Sequence, residues 1–234
     1  MSLNIGKNLI NEEININTKL HVLIGGQAGS GKSTLMNGCI TEAFMESSEN
    51  LVYLFDLKLV EFNRYKKITD NVFTTIEEMD AALTLLHDKM MKRYHAMAES
   101  GETEYSGGKI YIFIDEIADV INHENKKLAK DIRNKLSSIF RMGRAAKVIC
   151  IVATQYPTKE VIDMQMKMNC QKICLKMNSD VGYRVMLDRK YDELKGNGDA
   201  IYQDIYGNIT RFQVNNYSNE YVKEWIDAVA SFQS

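Results

Sequence analysis

Three glycines, a lysine and a serine stand at fixed spacing in Gly26-Gln27-Ala28-Gly29-Ser30-Gly31-Lys32-Ser33, with Thr34 next. The octapeptide fits G-x-x-x-x-G-K-[ST] without departure. Glycines let the backbone turn so that successive N–H groups point at phosphate oxygens. A helix starting there adds the positive end of its dipole. Lys32 is then placed to reach the terminal phosphates of ATP, and Ser33 to ligate Mg2+. The whole run from Gly26 to Thr34 is the expected nucleotide cradle. A second chemical group is Ile112-Phe113-Ile114-Asp115-Glu116, an apolar run that ends in two adjacent carboxylates. Asp115 is the candidate holder of Mg2+, through water. Glu116 is the candidate general base that polarises an attacking water. Glutamate after the aspartate favours a hydrolase over a small-molecule kinase. Gln155, which ends Ala153-Thr154-Gln155, is a candidate sensor of the terminal phosphate.

These groups need elements to hold them. His21–Ile24 reads as a short strand ending in glycine, and Leu35–Phe44 as a helix. Leu51–Phe55, Ile110–Ile114 and Val148–Ala153 read as further buried strands, with Ile173–Leu175 as a fifth. Ile76–Met97 has helical spacing through Met79, Leu83, Leu86, Met90 and Tyr94, and Leu128–Met142 reads as an amphipathic helix. Strands apolar on both faces, alternating with helices, predict an α/β fold with a mainly parallel sheet flanked by helices. Acidic residues at the end of such a strand lie where ligands of open α/β sheets bind. Towards the end, Ala200–Tyr202 and Ile209–Val214 predict a β-hairpin, and Ser218 is the expected N-cap of a last helix.

Composition narrows the class. The chain has 234 residues, 45% hydrophobic and 26% charged, with Pro157 its one proline. That suits a single domain over residues 1–234, its core about 20–215, with no linker. A formal net charge of -2 argues against a protein coated in basic residues for nucleic acid, but not against one that grips it with a few loops. Cys39, Cys150, Cys170 and Cys174 read as reduced, packed thiols of a reducing compartment. The methionines, Met164, Met166 and Met168 among them, read as packing, and the basic run Lys126, Lys127, Lys130, Arg133, Lys135 as a solvated helix face. No apolar run approaches the ~20 residues of a membrane helix.

Beyond the phosphate loop, six further segments resemble the motor domain of the FtsK/SpoIIIE translocases, in order, from about His21 to Trp225. Asp56-Leu57-Lys58-Leu59-Val60-Glu61 with Tyr65 resembles Asp-Pro-Lys-x-x-Glu-x-x-x-Tyr, with Leu57 in place of proline. Met90, Arg93, Tyr94 and Met97 match a Met-x-x-Arg-Tyr-x-x-Met helix, and Asp115-Glu116-Ile117-Ala118-Asp119 resembles Asp-Glu-Phe-Ala-Asp. Arg144-Ala145-Ala146 with Ala153-Thr154-Gln155, then Arg184 with Leu187-Asp188, then Gly196-Asn197-Gly198-Asp199 complete the series.

The resemblance implies a RecA-like P-loop NTPase that hydrolyses ATP at the subunit interfaces of a hexameric ring and pulls double-stranded DNA through its pore. It also implies an arginine supplied by a neighbouring subunit. Arg184 is the first candidate for that finger, with Arg144 and Arg141 as alternatives. Where the family carries arginine one strand earlier this chain has Lys172, which lacks the planar fork. Two related readings stay open: an EssC-like protein-secretion ATPase and a conjugative coupling protein of the TcpA kind. The expected setting is the bacterial cytoplasm, with membrane association only through a partner or a missing segment. A stripped motor of a mobile element, or one domain of a longer chain, fits what the sequence holds.

Overall fold

The computed structural model describes residues 2–168, 170–191 and 194–233. Its parallel strands are β3 (His21–Gly25), β4 (Leu51–Phe55), β5 (Val72–Phe73), β6 (Ile110–Ile114), β7 (Val148–Thr154) and β8 (Cys170–Leu175). Four more strands, β1 (Ser2–Asn8), β2 (Glu13–Asn17), β9 (Asp199–Gln203) and β10 (Ile209–Val214), extend the sheet antiparallel. Among the described residues the order is β2-β1-β10-β9-β8-β3-β7-β6-β4-β5. The expected hairpin is thus β9–β10, and it joins the parallel half through β8.

Each central strand shows why its sequence is apolar without alternation. Leu23, Ile112, Cys150 and Cys174 face one side, where α2 (Ile76–Ser100), α3 (Ile117–Ile121), α4 (Lys126–Met142), α5 (Met164–Met168) and α6 (Asp180–Leu187) supply Leu83, Met90, Leu136 and Met166. Ile24, Phe113, Ile151 and Ile173 face the other side, where α1 (Lys32–Glu46) and α7 (Asn219–Gln233) supply Met36, Ile40, Val222 and Ile226. Successive side chains point to opposite faces, and both faces are covered. Local signals hold the helix ends. Thr75 and Glu78 form a capping box at the start of α2, and Ser218 Oγ accepts the Tyr221 N–H at 3.2 Å at the start of α7.

Three expectations need correction. The first strands, β1 and β2, were not anticipated: Asn4, Asn8, Asn15 and Asn17 depress strand propensity, and the ladder shifts register between Asn4 and Gly6. Met164 and Met168 are exposed at 74% and 75%, so only Met166 of that trio packs. The basic face of α4 is solvated at Lys126, Lys127 and Lys130, but Arg133 donates to the Glu160 carbonyl and Lys135 pairs with Asp80 at 2.6 Å. All four cysteines are free and buried. Among the described residues no helix is long and apolar enough to cross a membrane.

Candidate active site

Parallel pairing brings the functional strand ends to one level. Gly25 pairs with Thr154 and with Cys174, Ile114 with Val152, and Phe55 with Ile114. The residues that follow, Gly26, Gln155, Asp115 and Asp56, therefore emerge at the same edge, although 129 positions separate Gly26 from Gln155 in sequence. This is the carboxyl edge, where open α/β sheets bind ligands.

The phosphate loop is fixed by its neighbours. The Gly26 N–H donates to the Thr154 carbonyl at 3.1 Å and the Gln27 N–H to the Lys176 carbonyl at 2.8 Å. Gly31 ends the loop at φ 106°, and a Cβ there would stand 2.7 Å from the Gly198 nitrogen. Only glycine meets both demands. The Gly198 N–H in turn donates to the Ser30 carbonyl at 2.8 Å. No side chain caps α1, so the N–H groups of its first turn are left for a ligand, with the helix dipole behind them. Ser30 Oγ is buried without a hydrogen-bond partner. The loop fits a bound phosphate chain on these grounds.

The acidic pair lies directly behind. Lys32 Nζ is 2.6 Å from Asp115 Oδ1 and 3.1 Å from the Asp115 carbonyl, and both residues are buried. Glu116 caps α3: its Oε1 accepts the Ala118 N–H at 3.2 Å, while Oε2 accepts the Gln155 N–H at 2.7 Å. Two of its roughly four lone-pair directions are thus taken, and the carboxylate is oriented by the first turn of α3 and by the residue that follows β7. Gln155 lines the cleft. Ser33 and Asp115 offer hard oxygen donors of the kind Mg2+ takes alongside nucleotide phosphates. Among the described residues no group of three histidine, cysteine or acidic side chains could cage a metal alone.

The cleft holds about 550 Å³ beside Ala28, Gly29, Lys32, Ser33 and Thr34. It also touches groups to which the sequence reading assigned no role: Glu61, Asn197, Gly198 and Gln213. The signal for them was present, since Asp56–Glu61 and Gly196–Asp199 stood out as motifs, but nothing in their spacing pointed to the phosphate loop. Ser33 Oγ donates to Glu61 Oε1 at 2.9 Å. Lys58 Nζ lies 3.0 Å from Asp119 Oδ2. Partial burial works to lower the Lys58 pKa, but the carboxylates of Asp119, Glu116 and Asp115 hold it above the usual lysine range. Asp199 is gripped by Arg211 through Nε at 2.9 Å and Nη2 at 2.7 Å, which holds its carboxyl below the usual range.

The arginine candidates separate. Arg184 is exposed on α6, the helix that follows β8 at the cleft edge, and Asp188 pairs with Lys167 at 2.5 Å instead of with it. Arg141 and Arg144 are exposed ahead of β7, at the opposite edge of the sheet. Lys172 is half-buried in β8 and donates to Gln203 Oε1 at 3.2 Å; desolvation lowers its pKa. No arginine lines the cleft among the described residues.

Known proteins resemble this chain in sequence and in fold. A sequence model of the FtsK/SpoIIIE family matches residues 3–111. The DNA translocase SpoIIIE of Bacillus subtilis (strain 168) is 27% identical over 99% of this chain and 32% of its own length. The DNA translocase FtsK of Oceanobacillus iheyensis is 28% identical over 95% of this chain and 32% of its own length. This chain thus spans about a third of those relatives. Among solved structures, the pCW3 conjugation coupling protein TcpA, in a monomer form with ATPgS, superposes with a TM-score of 0.87 at 20% identity over 98% of this chain and 70% of its own. EssC (ATPases 2 and 3) of Geobacillus thermodenitrificans gives 0.81 at 17% identity over 99% of this chain and 49% of its own. These likenesses establish the fold.

Proposed function

We propose that this chain is a P-loop ATPase motor of the FtsK/SpoIIIE type that hydrolyses ATP to move double-stranded DNA, working as a hexameric ring with ATP between subunits; the family model over residues 3–111 and the likeness to SpoIIIE support that reading. The observation that carries the reading is the meeting of Lys32, Asp115, Glu116 and Gln155 at one strand edge beside a free helix start. The N–H groups at the start of α1, from Gly31 to Thr34, and the Lys32 ammonium bind the phosphates. Ser33 and Asp115 would hold Mg2+, Asp115 through water, and the bound ion would neutralise charge on the phosphates. Glu116, oriented by the Ala118 and Gln155 N–H groups, takes the proton of the attacking water, and the Gln155 amide aligns that water against the terminal phosphate. Arg184 of a neighbouring subunit supplies the arginine that the cleft lacks among the described residues. Residues 1–234 act as one domain, with β1 and β2 part of it. DNA is gripped by its phosphates, so binding is sequence-tolerant and weakens with salt.

The test is ATP hydrolysis by the purified chain with and without long double-stranded DNA, beside Glu116→Gln. The expected result is stimulation by DNA and a loss of about a hundredfold or more in the variant. Hydrolysis that ignores DNA at low salt transfers the reading to a protein-secretion ATPase. Full activity in Glu116→Gln removes the base from Glu116.

A further inference from the structure

A carboxylate stands in a cleft built for anions. Glu61 lines the space beside the phosphate loop, with Oε1 2.9 Å from Ser33 Oγ. Lys32 does not neutralise it, because the Lys32 ammonium is engaged by Asp115 at 2.6 Å. Nor does Lys58, which reaches Asp119. The charge of Glu61 faces the cleft with a neutral hydroxyl as its hydrogen-bond partner.

The placement is held from both sides. Asp56 Oδ2 accepts the N–H groups of Glu61 at 2.7 Å and Phe62 at 3.0 Å, and Oδ1 accepts that of Lys58 at 3.0 Å. Between them Leu59 sits at φ 62°, a backbone state that costs a bulky side chain and persists where the surroundings impose it. Past Glu61, Phe62 is buried, and the Tyr65 hydroxyl donates to Asn37 Oδ1 at 3.0 Å on α1. The segment that carries Glu61 is thereby tied to the helix that carries Ser33.

A fixed carboxylate repels a bare phosphate chain and attracts one that carries a divalent cation. We propose that Glu61 makes nucleotide binding depend on a divalent cation: it disfavours the metal-free nucleotide and positions the Ser33 hydroxyl and the ion's hydration shell for the metal-bound one. The inference rests on the nucleotide reading above and adds a residue to it. Glu61 is a positioning residue that acts through Ser33, as outer partners of metal ligands do.

The test titrates a fluorescent ADP analogue into the whole chain, in EDTA and in Mg2+, for the wild type, Glu61→Gln and Glu61→Asp. In EDTA, Glu61→Gln binds more tightly, by about three- to tenfold. In Mg2+ its gain over EDTA shrinks by about tenfold or more. A Mn2+ titration of the ADP-bound chain, read by electron paramagnetic resonance, gives the metal affinity directly, and it weakens in Glu61→Gln and partly recovers in Glu61→Asp. A side chain that served only folding would move both nucleotide affinities the same way. If Glu61→Gln keeps the wild-type Mg2+ gain and Mn2+ affinity, the inference is wrong while the nucleotide reading stands. If the wild type binds no nucleotide in either condition, the nucleotide reading falls and takes the inference with it.

Discussion

Gly198→Ala tests whether the Gly196–Asp199 loop braces the phosphate loop. Gly198 has φ 84°, and an added Cβ would lie 2.6 Å from Gln213 Nε2 and 3.3 Å from Val214 Cβ. Left-handed backbone costs an ordinary residue about 1–2 kcal/mol. Gln213 must also swing aside and give up its 2.8 Å hydrogen bond to the Asn197 carbonyl, which is worth about 0.5–1.5 kcal/mol. Together these predict a loss of about 2–3 kcal/mol, or a melting point lowered by about 5–10 °C for a domain of this size. The change has a second consequence. The Gly198 N–H donates to Ser30 and its Cα backs Gly31, so a displaced loop releases the phosphate cradle. The assay is thermal unfolding followed by circular dichroism, with and without ATPγS and Mg2+. The variant should melt lower alone and gain less from the nucleotide than the wild type does, because ligand stabilisation falls with affinity. An unchanged melting point with an unchanged nucleotide increment would falsify the bracing role.

Two further predictions concern buried ionisable groups, one at the amino end of β3 and one in the site. His21 Nδ1 accepts the Cys150 N–H at 3.0 Å, so a proton there would set donor against donor. Burial pushes the His21 pKa down to about 4, although the nearby backbone of Phe140 and Ile139 acts to raise it. The unfolded chain takes up this proton below about pH 6.5, so the folded state keeps its full stability above that pH and loses it as the pH falls towards 4. At pH 5 the loss from this one group is about 2 kcal/mol; urea unfolding at pH 7.5 and 5 should show a difference that shrinks by that amount in His21→Gln. Lys32→Ala leaves the buried Asp115 carboxylate without its cation and should lower stability by about 3 kcal/mol. Adding Asp115→Asn should restore part of it, and additive losses in the double variant would show that the two residues do not act as a pair.

The local chemistry was legible where a residue type dictates its own backbone or its own face. Gly26–Ser33 announces a phosphate loop because glycines and a lysine at that spacing do little else between a strand and a helix. The runs Ile110–Ile114 and Val148–Thr154 announce strands covered on both faces, and Asp115 and Glu116 follow the first of them by necessity. Element ends shifted by a few residues, as at α4, which begins at Lys126 under an Asn125 cap, because capping is decided by one side chain and helical spacing by many. The polar, asparagine-rich start hid β1 and β2, whose stability comes from pairing with β10 and burying Leu3, Ile5 and Ile16, a partner no local window contains.

Sequence alone therefore determined which residues form the candidate phosphate loop, which carboxylates stand at the strand end, and that a mainly parallel sheet carries them. Tertiary structure alone decided what those residues touch. Glu116 is aimed by the N–H of Gln155, 39 positions on; Ser33 is engaged by Glu61; Gly31 is backed by Gly198. Such contacts depend on strand order and register, which bring distant segments within 3 Å only after the sheet is assembled. Spacing along the chain encodes backbone shape and exposed face, and it carries no record of distances across strands.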